Sequence, residues 1–176
     1  MTVEIRAADA SDAASLSELA AVTFALACPP GTTQADVEAF VQAHLSPANF
    51  DAYIADPDRD IRLALRDGVP AGYTMLVFGE PYDADVAATI SLRPTVELSK
   101  VYVHGEHHGA GIAAPLMAAT LDVARSAGAA SVWLGVNQQN ARAIRFYEKS
   151  GFASVGTKTF LVGSVLHNDY VMEYIF

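Results

Sequence analysis

The chain has 176 residues, 52% of them hydrophobic and 18% charged, which suits one folded domain with a sizeable core and excludes a disordered polypeptide. Its 20 acidic and 11 basic residues give a formal charge of −9, a field that disfavours nucleic acid and anionic membranes and mildly favours cationic small molecules. No run is long and apolar enough to span a bilayer, the start lacks the basic-then-apolar order of a signal peptide, and lone Cys28 excludes an intramolecular disulfide, so a cytoplasmic protein is expected.

In chain order, "TVEIRAA" alternates as a strand, and "DASDAASLSELAAVTFALA" reads as a helix entered through Asp9, Ser11 or Asp12. "CPPGTT" breaks it before a second helix, "TQADVEAFVQAHL", with Val37, Phe40, Val41 and Leu45 on one face. "SPANFDAYIADPD" is a shorter helical or irregular piece, and "DIRLALRDGVPAGYTMLVFG" reads as two strands turned by Asp67-Gly68. A loop holding "EPYDAD" leads to the strand "TVELSKVYVHG", then a helix from Gly109 to about Ala127, stopped at Gly128. "ASVWLGVN" is a β-prone strand, "QNARAIRFYEKSG" a helix stopped by Gly151, and "FASVGTKTFLVG" with "HNDYVMEYIF" a closing strand pair. The expected order is β-α-α-β-β-β-α-β-α-β-β, an α/β (α+β) domain over residues 1–176 with a mixed sheet and one βαβ crossover.

The chemistry concentrates in "HHGAGIA". Gly109 and Gly111 can turn successive N–H groups toward one point, and the free N–H groups of the following helix face the same point. That geometry suits a pyrophosphate, although such a turn alone is a weak signal. The segment lacks the Gly-Lys-Ser/Thr of a P-loop and the third glycine of a dinucleotide fingerprint. His104, His107 and His108 have no carboxylate or cysteine at ligand spacing, so no metal site is expected.

A second segment, "WLGVNQQNARAIRFYEKSGF", changes the weight of the first. Together with "VELSKVYVHGEHHGAGIAAPLM" it resembles the GCN5-related N-acetyltransferase (GNAT) superfamily. His108 to Ala113 match the family's Arg/Gln-x-x-Gly-x-Gly/Ala cradle, with histidine in the Arg/Gln slot. Asn140, Ala143, Tyr147, Gly151 and Phe152 match its second element with every spacing intact. "WLGV", "AIRFYEKSGF", "VGTKTFLVG" and "NDYVM" are similar to the PaiA-like spermidine/spermine acetyltransferases, except that Ser164, Val165 and Leu166 stand where acidic residues are usual.

The resemblance implies a central, mostly antiparallel twisted sheet flanked by helices, acetyl-CoA as cofactor, and direct transfer to a primary amine such as a polyamine in a ternary complex. It places Tyr147 as general acid near the sulfur. The backbone of Val101, Tyr102 and Val103 would lie along the pantetheine, with that strand splaying from its neighbour. His108, Gly109, Ala110, Gly111, Ile112 and Ala113 would cradle the pyrophosphate. Asn140 would bond the pantetheine or cap its helix, and Arg142 and Lys149 could reach phosphates. Glu97 is the candidate base, or a holder of the substrate ammonium; a solvated strand-end carboxylate is the competing reading. Phe24, Tyr73 and Tyr82 are candidate acceptor walls, and Glu80, Asp83 and Asp85 could attract a cation. Each could equally be core or loop. Histidine at 108 carries charge only part of the time near neutral pH, so His108→Arg is expected to tighten CoA binding. A peptide acceptor, a non-catalytic CoA-binding domain, and a homodimer formed through "YVMEYIF" are the other readings.

Overall fold

A computed structural model describes residues 2–109 and 111–176. Strand β1 (Val3–Ala7) leads through a short 3₁₀ turn into helix α1 (Ala13–Ala27), followed by α2 (Gln34–His44) and α3 (Pro47–Ala55). Strands β2 (Arg59–Arg66) and β3 (Val69–Phe78) precede helix α4 (Ala84–Thr89) and strand β4 (Thr95–Val103). Helix α5 (Ala113–Ser126), strand β5 (Ser131–Asn137), helix α6 (Ala141–Ser150) and strands β6 (Ala153–Val162) and β7 (Val165–Ile175) complete the chain.

Capping chemistry sets several of these boundaries. Thr33 accepts from Asp36 N at the start of α2, and Ser46 and Asn49 form a reciprocal box around Pro47 at the start of α3. The uncertain "SPANFDAYIADPD" is therefore helical from Pro47, with Phe50 wholly buried. Residues 84–89, expected as loop, are a helix. Asp83 accepts from Asp85 N and Val86 N, and Val86 and Ile90 bury against Trp133 and Val171. Six residues are too few to display a helical period, so no pattern announces α4.

The seven strands lie in the order β1-β2-β3-β4-β5-β7-β6, and every pair is antiparallel except β4 with β5. That parallel pair spans only Thr95–Glu97 against Ser131–Trp133. Beyond Glu97 the two strands separate, so the sheet is split into arms joined at one end. A bulge on β4 adds to the split: Met75 pairs with Lys100 and Leu76 with Leu98, leaving Ser99 as the extra residue.

The two faces of the sheet carry different cores. On one, α1 and α3 cover Leu63, Tyr73 and Met75, with Leu16 and Phe50 wholly buried. On the other, α5 and α6 cover Leu76, Val96, Leu98, Val132, Leu134 and Met172. The apolar C-terminal stretch is largely used inside the fold. Val171 and Met172 are fully buried in the internal strand β7, and only Ile175 and Phe176 remain exposed at its end. Among the described residues, no helix is long and apolar enough to cross a membrane.

Candidate active site

The split opens a cavity of about 1020 Å³ that runs through the sheet. Along β4, Leu98 and Val101 belong to the core under α5 and α6, whereas Tyr102 packs on the core under α1 and α3. Glu97 and Lys100 fall on the Tyr102 face because side chains alternate and Ser99 is the bulge. All of these residues line the cavity, as does Val103. Past Glu97, β4 has no strand pairing on its β5 side, so its amides there are open to a ligand's own amides.

At the open end of the split, Gly109 and Gly111 have φ of +80° and +76°. Among the described residues no neighbour lies within 4 Å of where a Cβ would stand on either, so these glycines serve backbone conformation rather than space. The turn delays the helix, which starts at Ala113 instead of Gly109. Among the described residues no side chain caps α5, whose N-cap is Ile112; the N–H groups of its first turn are available to an anion. Ile112 is buried and, with Ala113, lines the cavity. Ala110, also expected in the cradle, lies outside the described residues.

The three histidines before the turn share no partner. His104 Nδ1 accepts from Glu106 N at 3.2 Å, and Arg66 Nη1 lies 3.1 Å from His107 Nδ1. His108 is held at both nitrogens, with Arg142 Nη1 2.7 Å from Nδ1 and Val103 O 2.8 Å from Nε2. Arginine can only donate and a carbonyl can only accept, so the ring hydrogen sits on Nε2 and Nδ1 accepts. The pair bridges the end of β4 to the first turn of α6, across the gap. The positive group fixed at the cradle's leading edge is thus Arg142, delivered from another helix.

Asn140 caps α6 by accepting from Ala143 N at 3.2 Å, and it also lines the cavity. Its two proposed roles are therefore spatially compatible. Tyr147 lies about two turns further on, buried, with its ring 5.9 Å from that of Phe152. Desolvation, helped by the neighbouring Tyr102, pushes its phenol well above the usual range, so the hydroxyl retains its proton near neutral pH. Desolvation also pushes the Tyr102 phenol up to about 12. Burial raises the Glu97 carboxyl, while Lys158, Lys100, Ser99 and Arg59 pull it back.

The remaining expected residues divide. Phe24 lines the cavity and stacks on Phe40 at 4.3 Å, and Tyr82 lines its rim while 78% exposed. Tyr73 does not reach it. As part of β3, one strand away from the split, its ring is fully buried between Phe50 and Tyr102. Lys149 is exposed on α6 outside the cavity lining, because the helix turns it away from the residues that Tyr147 accompanies. Glu80 pairs with Arg93 at 3.0 Å, and Asp85 is exposed beside the cap formed by Asp83.

Residues from the far arm were missed by sequence. Lys158 on β6 and Asp169 on β7 are register partners, 3.9 Å apart, each with a side chain only 9% exposed. They line the same cavity with Trp133 and Phe160. The usable sequence signal was an acid and a lysine inside two adjoining strands, but their pairing depends on register.

The chain matches the acetyltransferase (GNAT) family over residues 27–152. It is 47% identical to an uncharacterized N-acetyltransferase of Mycobacterium tuberculosis, across 92% of this chain and 96% of the relative. An L-methionine sulfoximine/L-methionine sulfone acetyltransferase of Salmonella typhimurium is 37% identical over 49% of this chain and 46% of its own length. The PaiA N-acetyltransferase of Thermoplasma acidophilum, crystallised with coenzyme A, shares the fold over all of both chains with a TM-score of 0.81 at 21% identity. A split sheet with a glycine cradle at its open end, and a relative of nearly equal length at high identity, place this chain in the GNAT family of acetyltransferases.

Proposed function

We propose that this N-acetyltransferase moves the acetyl group of acetyl-CoA directly to the primary amine of a small molecule, both being bound at once. The observation that carries this reading is the gap between β4 and β5. It joins two faces of the sheet, with Tyr147 supplied from the α6 side and Glu97 from the α1 side of one cavity.

The residues present fit the cofactor. Gly109 and Gly111, the uncapped start of α5 and Arg142 provide donors and charge for a pyrophosphate. His108 acts as the positioning residue for Arg142. On its β5 side the β4 backbone at Val101–Val103 has no strand partner and offers amide partners along the gap, apart from Val103 O, which His108 holds. Bound there, acetyl-CoA supplies an activated acetyl group as a thioester. Tyr147, protonated, is suited to give a proton to a departing thiolate, and Glu97 to take one from an incoming ammonium, directly or through water. Cys28 also lines the cavity, but burial pushes its thiol up, which makes it a poor thiolate nucleophile and supports direct transfer.

A small acceptor fits better than a peptide because the β6–β7 hairpin closes over α2. Phe160 packs edge-on against Phe40, with centroids 5.7 Å apart. Gly163, at the hairpin turn with φ of +60°, lies against the carboxylate end of Asp36. Polyamines, implied by the PaiA resemblance, and amino acid analogues, named for the Salmonella relative, both fall in this class. The test is acetyl-CoA-dependent thiol release with amino acids, polyamines, aminoglycosides and peptides. Release with a small amine is the expected result; CoA binding without release for any amine overturns the reading.

A further inference from the structure

The acceptor side of the cavity is bipolar. From the near arm come Glu97 and Lys100, and from the far arm Lys158 and Asp169, all on the face covered by α1–α3. None of the ion pairs among the described residues includes Lys100. Its ammonium is 5.9 Å from the Tyr53 ring centroid, and desolvation lowers its pKa to about 8. Lys158 has Asp169 only at 3.9 Å, beyond an ordinary hydrogen bond. Trp133, fully within the lining, has a buried indole N–H without a partner among the described residues.

The far arm is also shaped for a ligand. A Cβ at Gly135 would lie 3.2 Å from Asp169 Oδ2 and 3.3 Å from Lys158 Cδ. Glycine on β5 therefore keeps the two charged heads clear of their neighbouring strand. Phe24, Phe40 and Phe160 supply an apolar wall beside them.

Resting on the acetyl-transfer reading, we propose that the acceptor is an apolar α-amino acid, its amine held by Glu97 and its carboxylate by Lys158 and Lys100. A buried cation without a close partner gains most from an anion, and a buried lysine opposes a second ammonium. A polyamine satisfies Glu97 but sets its remaining ammonium groups against the two lysines. An α-amino acid answers both signs within one small molecule. Glu97 takes one proton from the ammonium and later yields it to solvent. The freed amine attacks the thioester carbonyl, and an N–C bond forms as the C–S bond breaks. The thiolate takes the Tyr147 proton, and the second nitrogen proton returns to the tyrosinate directly or through water.

The test compares L-methionine, L-methioninamide and spermidine, by thiol release and by calorimetric binding to the CoA-loaded protein. The expected kcat/KM for L-methionine exceeds that for its amide by about tenfold or more, and the same order holds in binding. Lys158→Met should abolish this preference while CoA affinity is retained, and Lys158→Arg should restore it. Equal use of acid and amide, or a preference for spermidine, overturns the amino acid assignment and leaves acetyl transfer standing. CoA binding without thiol release for any amine overturns both.

Discussion

The two halves of the cavity are built by different means. The proposed cofactor half is made chiefly of main chain: two glycines with positive φ, the uncapped start of α5, and the length of β4 without a β5 partner. The proposed acceptor half is made of side chains from separated segments, with Phe24 on α1, Phe40 on α2, Lys100 on β4, and Lys158 and Asp169 on the last hairpin. A backbone site is specified by a few contiguous residues and tolerates exchange of the side chains around it. A side-chain site changes with any of its contributors. The contrast explains how one fold can keep its cofactor while acceptors differ.

Substitutions at the junction should affect chemistry most, and Tyr147→Phe should do so without weakening either half. Tyr147→Phe is expected to lower kcat by about 100-fold, within the usual range for a general acid, with CoA affinity changed less than twofold. Stopped-flow turnover and calorimetry check this, and an unchanged kcat removes Tyr147 from the proton step. Glu97→Gln should reduce kcat/KM by about tenfold to 100-fold. Because burial raises the Glu97 carboxyl, and a base must be deprotonated, the acid limb of the pH–rate profile should lie above the ordinary glutamate value. Lys158 draws that carboxyl down, so the limb should move to still higher pH in Lys158→Met. A limb that stays in place separates Glu97 from the observed titration.

Within the cofactor half, Gly111→Ala requires alanine at φ of +76°, at a cost of roughly 1–2 kcal/mol. A loss of about tenfold in CoA affinity is expected, with acceptor binding unaffected. Calorimetry with both ligands measures how independent the halves are, and equal losses would merge them. Arg142→Ala should weaken CoA by about threefold to tenfold, in line with a partly exposed charge-assisted hydrogen bond. It should leave acetyl-pantetheine, which lacks the pyrophosphate, nearly unchanged. His108→Ala should weaken CoA only while Arg142 is present. His108→Arg, expected from sequence to tighten binding, now sets a second guanidinium beside Arg142, and no gain is the outcome that agrees with the bridge.

The cradle and the Asn140–Phe152 element were legible because each lies within a dozen or so residues. Gly109, Gly111, Asn140 and Gly151 fix local backbone conformations or caps that survive in any surroundings. Most elements were legible for the same reason, through their periodicity and stop signals. Tyr73 misled because an aromatic residue in a strand gives no sign of its distance from a split in the sheet. Lys100 was hidden because its facing depends on the Ser99 bulge, which is visible only once β4 is registered against β3.

Sequence by itself determined the order of most elements, the glycine turn before α5, and the motif spacing that points to acetyl transfer. Those properties arise from contacts between near neighbours along the chain. Tertiary structure decided that Arg142 carries the charge beside His108, that Lys158 and Asp169 face Glu97 and Lys100, and that Tyr73 stays in the core. These facts depend on strand register and on which arms separate, and both are set by packing between residues far apart in the chain.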